Sequence, residues 1–230
     1  MIVKCCNKII DSIIFISLLL VQLYSIYIIY DYIAIYRGSS TQAVYQALQI
    51  EEESKLDIIT NYSDVKGWIQ LGDIDYPILQ GQSNNQYLRT NLEGEYSLSG
   101  SIFLDYRNTS DLSDNYQIIY GHNMQAGTMF GSLDKYLDSE YMENNNIGIL
   151  TTTKEVTIEV FASFVTDIKD IYLYTPSYQE EIISLLDYIV INSEVYRDIE
   201  ISNDDQVIAL STCKTTGSTE RIVVLAVMKQ

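Results

Sequence analysis

Apolar residues run almost unbroken from Ile9, and residues 12–30 carry no charge at all. As a helix rising 1.5 Å per residue, those 19 positions extend about 28 Å, close to the hydrocarbon thickness of one bilayer. A cleaved signal peptide has a shorter apolar region, roughly 7–15 residues, and ends in small side chains. This stretch instead exits through Tyr24, Tyr27, Tyr30, Tyr32 and Tyr36, an interfacial aromatic belt. The pattern predicts an uncleaved signal anchor over residues 9–30. Lys4 and Lys8 precede it and the next basic residue is Arg37, so the positive-inside bias puts residues 1–8 in the cytoplasm and everything after the anchor outside the cell.

After the anchor the periodicity changes twice. Val44, Ala47, Leu48 and Leu56, with three glutamates at 51–53 on the polar side, predict an amphipathic helix within residues 42–59, so that 31–60 form a helical lead. Short strand-like runs follow: Trp68-Ile69-Gln70-Leu71, a Gly72-Asp73 turn, then 74–79, 101–104 and 117–120. Val156, Ile158, Val160, Ala162 and Phe164 alternate with more polar neighbours, as a strand with one buried face does. Residues 207–210 and 222–228 are continuous apolar runs of strand length, expected to be buried on both faces. Two helices interrupt the strands, a short one over 129–137 and a longer one over 177–191 with Ile182, Leu185, Leu186 and Ile189 on one face. The chain therefore reads as mainly β, a closed barrel over residues 61–230 with one longer helix inserted between late strands.

Charge and composition narrow the chemistry. The formal net charge is −17, from 14 basic and 31 acidic residues, and residues 31–230, with 12 basic and 30 acidic residues, carry −18. A field of that sign repels phosphate backbones, so nucleic acid is excluded as a partner. Three cysteines, two of them the adjacent Cys5 and Cys6, cannot make a disulfide framework or a cysteine zinc site. With a single histidine in the chain, a polyhistidine metal site is excluded too, and no metal or cofactor is expected.

Cys213 follows the buried run 207–210 and precedes a polar loop, a position held by the scaffold yet open to a cleft. A buried structural cysteine is the plain alternative, but a lone thiol outside the cell is a liability unless it is used. His122 lies at the end of the run 117–120, after Gly121, where an incidental histidine is the usual finding. Arg221 opens the last apolar run, eight positions after Cys213, so a hairpin would bring its guanidinium beside the thiol. Together they supply a nucleophile, a proton carrier and a fixed cation.

Leu210-Ser211-Thr212-Cys213 with Arg221-Ile222-Val223-Val224, and Tyr120-Gly121-His122-Asn123-Met124 upstream, resemble the sortase family of Gram-positive surface transpeptidases. Asp75-Tyr76-Pro77-Ile78, Gln80-Gly81, Asn84, Tyr87-Leu88 and Gly100-Ser101-Ile102-Phe103-Leu104-Asp105 are similar to the class B branch in particular. The resemblance implies an eight-stranded sortase barrel in which Cys213 is the nucleophile, His122 the catalytic histidine and Arg221 the catalytic arginine. It also implies that Asn84, Tyr120, Tyr172 and Ser211 line the groove for the sorting signal. The implied activity is cleavage of a C-terminal sorting signal on surface proteins and transfer of the acyl group to the amine of a lipid-linked cell-wall precursor, at the cell membrane. Two other readings of the same residues stay open: a membrane-bound cysteine peptidase in which water resolves the intermediate, and a tethered adhesin or thiol redox sensor.

Overall fold

The computed structural model describes residues 2–39, 55–124, 127–176, 182–202, 204–215 and 217–229. The chain separates into two compact units, Met1–Gly38 and Ser39–Gln230.

The first unit is a single helix, α1 (Ile2–Ser39). Within it Ile10–Ile35, 26 residues of mean hydropathy 2.3, is long and apolar enough to cross a membrane and is unburied throughout. The helix continues past residue 30, where the sequence pattern ends the anchor. The hydroxyls of Ser12, Ser17 and Ser25 donate to the carbonyls of Lys8, Ile14 and Val21 at 2.8, 2.8 and 2.9 Å. Those bonds satisfy the three hydroxyls within the helix itself.

The second unit begins, among the described residues, with α2 (Lys55–Asn61). Residues 42–54 of the expected helical lead lie outside the described residues. Helix α2 packs Ile58 on Val65 and Trp68, while Lys55 Nζ lies 3.1 Å from Asp75 and 5.4 Å from the Trp68 ring centroid. The strands are β1 (Val65–Leu71), β2 (Ile74–Leu79), β3 (Ile102–Leu104), β4 (Tyr116–Tyr120), β5 (Ile147–Thr151), β6 (Glu155–Asp167), β7 (Val195–Tyr196), β8 (Gln206–Cys213) and β9 (Glu220–Lys229). Between β4 and β5 lie a 3-10 helix, Gly131–Leu137, and α3 (Ser139–Asn144), whose N-terminus is capped by the Asp138 carboxylate. The insertion between β6 and β7 carries α4 (Ile182–Asn192). Residues 177–181, the start of the helix expected there, lie outside the described residues.

Hydrogen bonding runs in the order β5-β1-β2-β3-β4-β8-β9-β6-β7, and a further β5–β6 pairing closes the ring. Eight strands thus form the barrel, and the two-residue β7 hangs on the outside of β6. Pairs β2–β3 and β4–β8 are parallel. A parallel pair needs a crossover rather than a hairpin, so long segments must return to one end of the barrel. Residues 80–101 make the first of these returns, which is what brings Asn84 and Leu88 to the rim.

The continuous apolar runs have the two-sided burial expected of them. Along β8 and β9, Ile208, Leu210, Ile222, Val224 and Ala226 point into the barrel core. Their neighbours Val207, Ala209, Val223, Leu225 and Val227 belong to a second cluster outside the wall, which Leu185 and Ile189 of α4 cover. Strand β6 departs from the simple reading. Its alternation suggests one face, but a bulge between Val160 and Ala162 inserts Phe161. Val156, Ile158 and Val160 face the core, whereas Phe161, Ala162 and Phe164 join the outer cluster. One extra residue reverses the parity of everything after it, and beyond the bulge Ala162 and Ser163 pair with β7 while the strand stays paired with β9 to Asp167.

Strand β5 was hidden from the periodicity because its apolar pattern is inverted. Ile147 and Ile149 are exposed, while Gly148 and Leu150 face inward. A Cβ on Gly148 would sit 2.5 Å from the Gln70 carbonyl oxygen, so only glycine allows β5 to close against β1.

Candidate active site

Five strand ends meet at one rim. Cys213 is the last residue of β8 and pairs in antiparallel register with Arg221, the second residue of β9. The parallel β4–β8 register sets Tyr120 beside Ser211, and the chain leaving β4 therefore runs alongside the end of β8. Gly121 N donates to Ser211 O at 3.2 Å, Thr212 Oγ1 donates to Gly121 O at 2.8 Å, and Asn123 Nδ2 donates to Cys213 O at 2.8 Å. These bonds bracket His122 between fixed points. Thr166 of β6 pairs with Arg221, so Ile168 also reaches the rim. Phe103 of β3 stands opposite Tyr120.

The cleft at this rim is lined by His122, Cys213 and Arg221 together with Asn84, Leu88, Phe103, Tyr120, Ile168, Tyr174 and Ser211. Cys213 is a free thiol, half-buried. The His122 imidazole has Nε2 2.6 Å from the Leu88 carbonyl oxygen. Arg221 Nη1 donates to the carbonyls of Ser218 and Glu220 at 2.7 and 3.0 Å, which anchors one edge of the guanidinium to the turn before β9.

Of the four residues expected in the groove, Asn84, Tyr120 and Ser211 line the cleft and Tyr172 does not. Tyr172 lies against α4: its hydroxyl donates to the Ser184 carbonyl at 3.1 Å and its ring packs on Tyr188 at 4.9 Å. Tyr174 occupies the lining instead, its hydroxyl 2.9 Å from Ser211 Oγ and its ring stacked on Tyr120 at 6.4 Å. The loop holding both tyrosines is organised by Asp170, which accepts from Thr166 Oγ1, Tyr188 Oη and the Tyr172 and Leu173 amides. That two-residue offset depends on the loop's hydrogen bonding, which no local pattern reveals.

Sequence reading also passes over a charged group behind the cleft. Asp105 is fully buried and accepts from Arg107 Nε and Nη2 at 2.9 and 2.7 Å, from Asn84 Nδ2 at 2.9 Å and from Tyr120 Oη at 3.0 Å. Arg107 Nη2 donates also to the Tyr174 carbonyl at 2.7 Å. One carboxylate thus orients two lining side chains directly and steadies a third residue through its arginine. Burial alone would raise the Asp105 carboxyl, but the Arg107 and Asn84 hydrogen bonds outweigh it and hold it below the usual aspartate range. Burial and the Asp105 charge push the Tyr120 phenol well up, and burial brings Tyr174 to about 12, so both remain protonated at neutral pH.

A carboxyl whose folded value is depressed contributes stability above its unfolded value, and that contribution disappears as the pH falls through the folded one. Asp105→Asn is therefore expected to lower stability at pH 7 by about 1–3 kcal/mol, since charge-assisted bonds become neutral ones. The gap from wild type is expected to close as the pH drops below about 4, the ordinary aspartate value. Thermal melts of both proteins at pH 7 and pH 3 check this, and an unchanged gap at pH 3 contradicts it.

Among the described residues no group of three or more histidine, cysteine or acidic side chains is arranged to hold a metal ion. A half-buried free thiol with an arginine in register and a histidine lining the same cleft suits thiol chemistry on a carbonyl. The model of the Sortase domain matches residues 69–229. Sortase B of Listeria monocytogenes is 38% identical over 164 residues, which cover 69% of this chain and 66% of that protein, or about two thirds of its length. Two solved structures share the fold closely. A Streptococcus pyogenes class B sortase involved in pilus biogenesis has a TM-score of 0.69 at 35% identity, covering 76% of this chain and 98% of that one. The Staphylococcus aureus sortase B-substrate complex has a TM-score of 0.69 at 30% identity, covering 82% and 91%. The barrel, the rim that gathers Cys213, His122 and Arg221, and a match over most of the second unit all agree, and the chain belongs to the sortase family, in its class B branch.

Proposed function

We propose that this chain is a membrane-anchored cysteine transpeptidase that cleaves the C-terminal sorting signal of surface proteins and transfers the acyl group to an amine of a lipid-linked cell-wall precursor. The observation that carries the reading is the strand register: Cys213 faces Arg221 across β8 and β9, and His122 follows the strand parallel to β8.

The chemistry follows from those three side chains. A thiolate at Cys213 attacks the scissile carbonyl, and the carbonyl oxygen takes up negative charge as the tetrahedral centre forms. Arg221, always charged, tethered by one edge of its fork and paired with Cys213 across β8 and β9, stabilises that oxyanion. His122 carries the thiol proton away and returns one to the departing amine. The thioacyl-enzyme is then resolved by an incoming amine. Asn84, Tyr120 and Ser211, with Tyr174 in place of Tyr172, bind the signal peptide in an extended form. The fold shared with a Staphylococcus aureus sortase B solved as a substrate complex supports a substrate-binding role for this domain.

Helix α1 serves as the anchor, with the N-terminus in the cytoplasm and the barrel outside the cell. Protein substrate and lipid-linked precursor then share the enzyme's membrane, which raises their effective concentration. Protease added to intact protoplasts is expected to digest the barrel and spare the N-terminus, and recovery of a mature form beginning after Tyr30 overturns the anchor. Activity is tested by product analysis with and without an added amine. An amide product that depends on the amine is the expected result. Hydrolysis alone, at a rate the amine does not alter, identifies a peptidase and rejects transpeptidation.

A further inference from the structure

The hydrogen bond on His122 restricts its chemistry more than its position in the cleft does. Nε2 lies 2.6 Å from the Leu88 carbonyl oxygen. A carbonyl only accepts, so Nε2 is the donor and carries a proton in the neutral as well as the charged imidazole. Nδ1 has no hydrogen-bond partner among the described residues and is the nitrogen left to exchange protons.

The carbonyl is itself held in place. Leu88 ends a short 3-10 turn, Gln86–Leu88, whose Tyr87 is buried against Leu79 and Phe103. Tyr87 Oη donates to Asp64 Oδ2 at 2.6 Å, and the Tyr87 carbonyl accepts from Ser101 N at 3.0 Å. Gly100 closes the arrangement. It has φ +55°, and a Cβ there would lie 2.5 Å from both the Leu88 and the Tyr87 carbonyl oxygens. Only a residue without a side chain lets the 100–101 backbone press against this turn.

We infer that the Leu88 carbonyl is a positioning group that locks His122 in the Nε2–H tautomer, and that Gly100 sets where that carbonyl stands. The role in catalysis rests on the transpeptidase reading. Nδ1 of the neutral ring takes the proton from the Cys213 thiol, leaving a thiolate and an imidazolium. After sulfur bonds to the carbonyl carbon and the carbon–nitrogen bond breaks, the Nδ1 proton passes to the leaving amine. The ring returns to its starting tautomer, and the Nε2–H bond to Leu88 is kept throughout.

A single histidine in the chain makes the test direct. In the full chain in detergent micelles, labelled with 15N-histidine, every imidazole signal belongs to His122. At a pH alkaline enough to keep the ring neutral, Nε2 is expected to show a directly bonded proton and Nδ1 none. A bonded proton on Nδ1, or a fast average of both tautomers, overturns the inference. Gly100→Ala is then expected to mix the tautomers and to slow acylation on the order of 10–100-fold, with KM within about twofold of wild type, because a displaced proton carrier affects kcat rather than binding. Wild-type signals and rate in a folded Gly100→Ala protein remove Gly100 from the argument. If that variant does not fold, Tyr87→Phe takes its place, since it loses only the bond to Asp64. It is expected to move the same imidazole signals by less, and unmoved signals count against the positioned carbonyl. The spectrum needs no turnover, so a locked tautomer in a chain without transpeptidation rejects the function and leaves this inference standing.

Discussion

Cys213→Ala is expected to abolish thioacyl-enzyme formation and, with it, all turnover on a sorting-signal peptide, a loss on the order of 10⁴-fold or more, as for nucleophile removal in other covalent enzymes. The size of the effect follows from the composition. Cys5 and Cys6 sit at the start of α1, and Cys213 is the one thiol beyond that helix, so the second unit holds no other cysteine to substitute. The fold has little stake in the sulfur. Cys213 is half-buried at a strand end, and the contacts that hold its backbone, the pairing with Arg221 and the bond from Asn123 to its carbonyl, survive the substitution. A stability change within about 1 kcal/mol is expected. The measurement is intact mass after incubation with peptide: wild type gains one acyl adduct, the variant none. Product formation by Cys213→Ala at the wild-type rate removes the proposed nucleophile, and a variant that fails to melt cooperatively shows that the thiol is structural instead.

How much of this was legible in the chain depends on whether the information is local. The strands β8 and β9 were legible because they are covered on both faces and read as unbroken apolar runs. Cys213 and Arg221 could be paired in advance because a hairpin is the simplest way to join two such runs, and the observed register does join them. His122 needed the parallel β4–β8 pair, a contact between residues about ninety positions apart that no periodicity encodes. The same limit explains where the structure departs from the local pattern. The β6 alternation was real, but the bulge at Phe161 divides it between two cores, because a bulge is a property of the strand's partner as much as of the strand. Strand β5 carries isoleucines outward and a glycine inward, so its pattern points the wrong way. Tyr172 and Tyr174 are chemically alike, and which of them reaches the cleft is decided by Asp170 and Arg107 through the loop's hydrogen bonds. The Asp105 network was invisible for a related reason. Asp105 and Arg107 read as an ordinary charged pair two residues apart, and only the fold buries the carboxylate and turns it towards Asn84 and Tyr120.

Arg221→Lys is expected to behave as a damaging substitution rather than a conservative one. In the proposed mechanism the guanidinium has two separate tasks. Nη1 already bridges the Ser218 and Glu220 carbonyls at 2.7 and 3.0 Å, and this tether fixes the direction of the rest of the planar group. Among the described residues the remaining donors have no hydrogen-bond partner, which leaves them for an oxyanion at Cys213, the register partner of Arg221. A lysine ammonium keeps the charge but concentrates it at one tetrahedral centre on a flexible stem. If the ammonium bonds the turn carbonyls it is withdrawn from the oxyanion, and if it turns to the oxyanion the turn loses its clamp. Loss of a single oxyanion donor costs on the order of 10²–10³ in kcat in enzymes where it has been isolated, and both Arg221→Lys and Arg221→Ala are expected to fall in that range with KM little altered. Such a split separates this role from substrate binding, which would raise KM first. The comparison uses single-turnover acylation of Cys213 by one sorting-signal peptide, after thermal melts have shown that the three proteins are equally folded. Equal acylation rates in all three exclude Arg221 as the oxyanion stabiliser. A full rescue by lysine alone points to bulk charge near the thiol, for which the fork geometry of the arginine is irrelevant.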